Sequence, residues 1–247
     1  MGTRLVVALL CWLAAGQALA AEPIRVAWRD KAPYHYWENG RAQGFLLQRA
    51  RRLFAAAEVP AVFVERPSKR IWRDFQRGKQ GFCSIGWYRL PERERLAQFS
   101  LPFHVDPPHT LLARAETLPA IRAHASFASL LGDPDISLGV VDGVSYGPEL
   151  DALIAGSANR VVRVTLSPAG LMQMVAAGRA GYMLADQADW QYLRRRDDGL
   201  SGLAEYHFRD MPPGLERYIL CSKDVSTQVM GRLNRAITAL SAQGGGQ

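Results

Sequence analysis

Apolar runs of strand length alternate with helix-period patterns twice along this chain, and that double alternation restricts its fold more than any other feature. The first series runs from Ile24 to Trp28, through a helix from about Phe45 to Ala57, Ala61 to Glu65, a helix from about Arg70 to Arg77, and Gly81 to Gly86. A strand at Thr110 to Arg114 and a Pro-, Ala- and Ser-containing connection through Leu131 follow. The alternation then restarts with Ile136 to Val141, Val161 to Val164 and Tyr182 to Ala185. Strands separated by helices read as parallel α/β sheet, because each crossover helix returns the chain to the same end. Two series predict two α/β lobes of about a hundred residues each. Extended segments join them, and strand ends and helix starts from both sides face a cleft suited to a small ligand. A chain of 247 residues with 48% hydrophobic content can fill both cores.

The first twenty residues read differently. Arg4 precedes an apolar run from Leu5 to Ala15, and Ala18-Leu19-Ala20 supplies the small-x-small site of a signal peptidase, so the mature chain is expected to begin at Ala21. The run is shorter than the roughly 20 residues a bilayer span requires. Export implies an oxidising compartment, the bacterial periplasm, and leaves Cys83 and Cys221 in the mature protein, with their pairing open at this stage. The formal charge of +7 concentrates early, at Arg49, Arg51, Arg52, Arg66, Lys69, Arg70, Arg73, Arg77 and Lys79. No nucleic-acid-binding signature accompanies it. The five histidines show no metal spacing, and no phosphate loop or dinucleotide fingerprint is present, so neither metal nor cofactor is expected.

The stretch GFCSIGWYRLPERERLAQFSLPF, Gly81 to Phe103, reads as a strand, a turn and an Arg-bearing helix start. Together with IRVAWRDKAPYHYWENGRAQGF, ISLGVVDGVSY and AAGRAGYMLADQADW, it resembles the family 3 extracellular solute-binding proteins, periplasmic receptors for amino acids in ABC importers. The resemblance spans nearly the whole mature chain. It implies a type II periplasmic-binding-protein fold of two α/β lobes, with 1–20 as signal peptide, 21–105 as the first part of lobe 1, 106–211 as lobe 2, and 212–247 returning to lobe 1.

The resemblance also implies roles for particular residues. Arg93 falls where the family grips the ligand α-carboxylate, a task suited to a planar guanidinium fork. Ser145, after Gly143 near a second-lobe helix start, is placed to bind the same carboxylate from the opposite side. Asp186 matches the aspartate that pairs with the ligand ammonium, and Gly86 a turn whose backbone carbonyl meets that ammonium. The chain also departs from the family pattern. Leu90 replaces a customary threonine, Trp28 replaces an acidic residue found in receptors for basic amino acids, and Lys31 stands where an aromatic stacks. Trp28, Trp87 and Tyr88 therefore suggest an aromatic-walled pocket, each of the three reading nearly as well as lobe core. A customary last helix is not seen after Thr227 to Leu240.

Other readings compete. Gly143-Val144-Ser145-Tyr146-Gly147 matches the nucleophile elbow G-x-S-x-G, with Asp186 and His207 following in hydrolase order, but no oxyanion-hole segment precedes it. A cyclohexadienyl or arogenate dehydratase of the same fold needs a proton donor, for which Glu38, His35 and Glu94 are candidates. A sensory module would share the cleft and pass closure to a signalling partner. The expectation from the sequence is a monomeric, non-enzymatic receptor for an amino acid or similar solute. It has no catalytic residue, its membrane partner is a permease, and Arg93, Asp186, Ser145, Gly86, Tyr88, Trp28 and Trp87 form its site.

Overall fold

The computed structural model describes residues 22–244; the expected signal peptide lies outside them. In chain order the first elements are strands β1 (Ile24–Trp28), β2 (Tyr36–Glu38) and β3 (Arg41–Gln43), helix α1 (Phe45–Ala56), β4 (Ala61–Glu65), α2 (Ser68–Gln76), β5 (Phe82–Trp87), α3 (Pro91–Glu94), β6 (Gln98–Phe99) and β7 (His104–Val105). The second series comprises β8 (Thr110–Arg114), α4 (Leu118–Arg122), α5 (Phe127–Leu131), β9 (Ser137–Val141), α6 (Pro148–Ala155), β10 (Arg160–Val164), α7 (Pro168–Ala176), β11 (Tyr182–Ala185), α8 (Gln187–Leu193) and β12 (Leu203–Tyr206). Strand β13 (Glu216–Cys221) and helix α9 (Thr227–Gly244) complete the chain.

Two large sheets carry most of these elements, and β2 and β3 pair separately as an antiparallel ribbon. One has the order β4-β1-β5-β13-β6, with β7 also paired to β13, and the other the order β10-β9-β11-β8-β12. The expected parallel pairing holds within β4-β1-β5 and β10-β9-β11. Beyond them the sheets are mixed, which corrects the all-parallel expectation: β13 runs antiparallel to β5, and β8 antiparallel to β11. The reason is the route of the chain. β8 opens the second sheet and β13 re-enters the first directly from the crossing segments, with no crossover helix to reverse direction. The connection through Leu131 also contains helices α4 and α5.

Period-two alternation explains why both faces of each sheet are covered. In the first lobe Val26, Trp28, Cys83, Ile85, Ile219 and Cys221 face α1 and α9, while Ala27, Phe82 and Leu220 face α2 through Ile71 and Phe75. In the second, Leu111, Leu138, Val140 and Leu184 pack on α5 and α6, and Leu112, Val141, Met183 and Ala185 on α7 and α8. Helix α1 buries Leu46, Leu47, Ala50, Leu53 and Phe54, the i, i+1, i+4, i+7, i+8 stripe of an amphipathic helix.

Cys83 and Cys221, directly opposed on β5 and β13, form a disulfide. It closes a loop across a sequence separation of 138, which contains every strand of the second sheet.

Candidate ligand-binding cleft

Strand β1 ends at Trp28, and the loop beyond it carries Lys31 and Tyr34 toward the second lobe, while Arg29 folds back on Gly86 and Trp87. Two amides at the start of α1 fix that loop: Leu46 and Leu47 donate to the Tyr34 carbonyl at 3.1 and 3.2 Å. Their approach requires Gly44 at φ 114°, since a Cβ there would lie 2.3 Å from the Tyr34 oxygen. From the other lobe, β11 delivers Asp186 as the N-cap of α8, accepting from the Ala188 amide at 3.1 Å, with Asp189 in the first turn of the same helix.

Arg217, on β13, joins these parts. Its Nε donates to Asp106 at 2.8 Å, Nη1 to the Gly86 carbonyl at 3.1 Å, and Nη2 to the Tyr88 hydroxyl at 3.0 Å and to Asp186 at 3.1 Å. The guanidinium lies 4.1 Å from the centre of the Tyr34 ring and 4.8 Å from that of Tyr88. Although the residue is only 2% exposed, the arrangement supplies what a buried guanidinium needs, a carboxylate on each side and engaged donors. Burial alone would lower its proton affinity; Tyr88, Tyr34 and Asp106 more than reverse that, and Arg217 stays charged. For Asp106, burial opposes ionisation, yet hydrogen bonds from His104 and Arg217 hold its carboxyl far below the usual range.

Further contacts tie the lobes. Lys31 Nζ reaches both oxygens of Asp189 at 2.9 Å and Asp186 at 3.5 Å. Tyr34 donates to Asp186 at 2.5 Å, Arg196 meets Glu38 at 3.5 Å, and the rings of Tyr36 and Tyr192 meet edge-on at 5.5 Å. Burial, opposed by Lys31, pushes the Asp189 carboxyl up to about 6. The folded chain therefore takes up this proton before the unfolded chain does, so the contribution is complete below 3.8 and is lost as pH rises through about 6. Over that window the stability of wild type relative to Asp189→Asn should fall as pH rises. Parallel denaturation curves for the two proteins would contradict this.

The sequence-expected residues divide. Arg93 lies in the short helix α3 that follows β5, its guanidinium 5.1 Å from the Trp72 ring centre and 5.3 Å from that of Trp87, with Nη1 donating to the Tyr88 carbonyl at 2.9 Å. It is not paired with Glu92 or Asp74; Asp74 is held by Arg66 and Lys79. Burial lowers its proton affinity. Asp186 and Tyr88 both belong to the Arg217 cluster. Ser145 turns into its own loop, donating to Asp151 at 2.6 Å and accepting from the Gly147 amide at 3.1 Å. Trp28 is 1% exposed and packs in the lobe core beside Trp37, so burial removes it from the cleft wall. Trp87 is also core, its indole N–H donating to Ser84 at 2.8 Å, and its ring lies against Arg29 and Arg93. The nucleophile-elbow reading fails on geometry: Ser145 bonds Asp151, whereas His207 lies 3.4 Å from the Thr110 hydroxyl.

Gly86, at φ 78°, leaves little room for a side chain, since a Cβ would stand 2.9 Å from Leu46 Cδ2 and 3.1 Å from His35 Nε2 and force those side chains to shift. Gly86→Ala should cost about 1–2 kcal/mol or more from the left-handed backbone alone. Chemical denaturation checks this, and a cost below half a kcal/mol would mean the backbone relaxes freely. The Gly86 carbonyl, assigned from the sequence to a ligand ammonium, already accepts from Arg217 and from Arg29 at 3.3 and 3.4 Å.

Arg217, Asp106, Lys31, Tyr34, Asp189 and Arg29 were missed as site residues. One signal existed for Arg217: a charge directly preceding the apolar run Tyr218–Cys221 in one strand is costly if buried unless paired. A separate surface concavity of about 590 Å³, lined by Arg25, Val64, Glu65, Arg66, Pro67 and Arg70, sits along the β1–β4 side. It lacks the opposed charges from two lobes that distinguish the cleft.

Two α/β lobes connected by crossing segments, with acids on one lobe meeting cations of the other, define a type II periplasmic-binding-protein-like fold. The chain belongs to the bacterial extracellular solute-binding proteins, family 3, whose model matches residues 24–245. No curated protein matches it significantly by sequence. Among solved structures it is similar to an ancestral amino-acid-binding protein described as a precursor of cyclohexadienyl dehydratase, at 22% identity and TM-score 0.66, covering 90% of each chain. It is similar to the second Venus-flytrap domain of BvgS from Bordetella pertussis, at 19% identity and TM-score 0.68, covering 89% of this chain and 88% of that one. A periplasmic His/Glu/Gln/Arg/opine family-binding protein from Silicibacter pomeroyi, in complex with lysine, matches at 17% identity and TM-score 0.66, covering 90% and 92%. At these identities the likenesses establish the fold.

Proposed function

We propose that the protein is a periplasmic, non-enzymatic receptor that captures a small carboxylate-bearing solute of the amino-acid class by closing its two lobes, and delivers it to an ABC importer. In this reading residues 106–211 form the lobe that closes onto 21–105 and 212–247, the signal peptide is cleaved after Ala20, and the receptor works as a monomer. The observation that carries it is Arg93. Its guanidinium stands over Trp72 and Trp87, with no carboxylate partner among the described residues and a backbone carbonyl as its acceptor. A bidentate carboxylate is the natural complement of such a group. Asp186 supports closure, because it reaches Tyr34, Lys31 and Arg217 across the lobes and gains those partners only when the lobes meet. Ser145 would contribute after exchanging its Asp151 bond, and Tyr88 lines the site beside Arg217.

The dehydratase reading finds little support in its candidate acids. Glu94 is paired with exposed Arg89, Glu38 with Arg196, and His35 is fully buried, with burial and neighbouring Arg29 keeping it neutral.

A thermal-shift screen with amino acids, opines, amines and small carboxylates tests the reading. A solute at about a hundred times its dissociation constant should stabilise the protein by roughly 2.7 kcal/mol. Stabilisation by a simple amine or sugar and by no carboxylate would sink it. Delivery to an importer is tested separately, by stimulation of ATP hydrolysis in a reconstituted permease complex; stimulation of a sensor kinase in its place would reassign the partner.

A further inference from the structure

The charges of the cleft are unevenly matched. Among the described residues, each carboxylate in the cluster between the lobes already has an internal cation. Asp106 is paired with Arg217 at 2.7 Å, Asp186 with Arg217 at 3.1 Å and Lys31 at 3.5 Å, and Asp189 with Lys31 at 2.9 Å. The Gly86 carbonyl accepts from Arg217 as well. Two guanidiniums have no such partner. Arg29 reaches only the Gly86 carbonyl, at the long distances of 3.3 and 3.4 Å, and lies 4.3 Å from the centre of the Trp87 ring; Arg93 reaches only the Tyr88 carbonyl. Burial, the Arg217 charge and that of Arg93 pull the Arg29 guanidinium down to about 10, as expected of a cation lacking a counter-ion.

Among the described residues, the three carboxylates of this cluster are engaged by cations of the chain, whereas two guanidiniums beside it are not. An incoming ammonium must displace Arg217 or Lys31 from these carboxylates or remain unpaired beside the guanidinium groups. The first leaves a charge unsatisfied, and the second sets like charges together in a poorly solvated space. A carboxylate meets neither obstacle.

We infer that Arg217 stands in for the ammonium group of a ligand, so that the cleft takes a small carboxylate without an ammonium, such as a 2-oxo acid or a dicarboxylate, in preference to the corresponding amino acid. This rests on the carboxylate-receptor reading above and, within it, replaces the amino acid by its ammonium-free analogue.

Matched pairs test it by titration calorimetry: 2-oxoglutarate and glutarate against glutamate, succinate against aspartate, pyruvate against alanine, and phenylpyruvate against phenylalanine. In the pair that binds, wild type should favour the ammonium-free member at least tenfold. Arg217→Gln, which removes the guanidinium charge from beside Asp186, should reverse that order, whereas Arg217→Lys should keep it. Wild type binding an amino acid tenfold more tightly than its deaminated partner would overturn this inference and leave the carboxylate receptor standing. Binding of no member of any pair would overturn both. A folded Arg217→Gln protein with unchanged preference would remove Arg217 from the explanation, and if that variant does not fold, the wild-type comparison decides the substrate class alone.

Discussion

Arg217→Met should destabilise the protein by about 3–5 kcal/mol, although no ligand need be involved. The substitution keeps an apolar stem of similar length but removes four hydrogen bonds: those to Asp106, Gly86, Tyr88 and Asp186. Asp106 is 5% exposed and retains only His104 and the Tyr34 and Tyr88 hydroxyls. A buried carboxylate that loses its guanidinium is far costlier than a broken surface pair. The exposed Arg89–Glu94 pair provides the internal control, because its removal should change stability by less than about 1 kcal/mol. Urea denaturation of both variants separates the cases; equal small effects would show that the Arg217 cluster is solvated like the surface.

Loss of the Cys83–Cys221 bridge should have a comparable effect. The two residues face each other on adjacent antiparallel strands, and the bond encloses the entire excursion of the chain through the second lobe, a separation of 138 residues. By loop-closure entropy, such a cross-link restricts the unfolded chain by about 5 kcal/mol, and native bridges of this kind are worth about 2–5 kcal/mol. The Cys83→Ser, Cys221→Ser double variant should therefore unfold at markedly lower denaturant concentration. Reduction of the wild type should match it. A double variant as stable as the oxidised wild type would mean that the bridge adds nothing beyond the β5–β13 pairing.

Much of the scaffold was legible in the chain. β1, β4, β5, β9, β10 and β11 are apolar runs, and α1 and α2 carry buried stripes at helical spacing, so local periodicity locates them within a residue or two. The antiparallel entries of β8 and β13 were not, because direction depends on the path between lobes and not on any local pattern. The site divides in the same way. Arg93 and Asp186 stand in recognisable local settings, a short helix following a strand and a helix N-cap. Arg217 finds its partners 111, 131 and 129 residues away, at Asp106, Gly86 and Tyr88, and nothing near it in sequence names them. Trp28 stayed open for a different reason: an aromatic at a strand end serves equally as pocket wall or core, and its burial is that of a core residue.

The central claim is that the cleft grips a carboxylate through Arg93. Titration calorimetry of wild type and Arg93→Ala, with whichever carboxylate stabilises the wild type in the screen, tests it most directly. Loss of one side of a desolvated, hydrogen-bonded charge pair should weaken binding by about 2–5 kcal/mol, roughly 30-fold or more, while the melting temperature of the free protein stays close to that of wild type. Undiminished affinity in Arg93→Ala would contradict the account and return Arg93 to a structural role against Trp72 and Trp87.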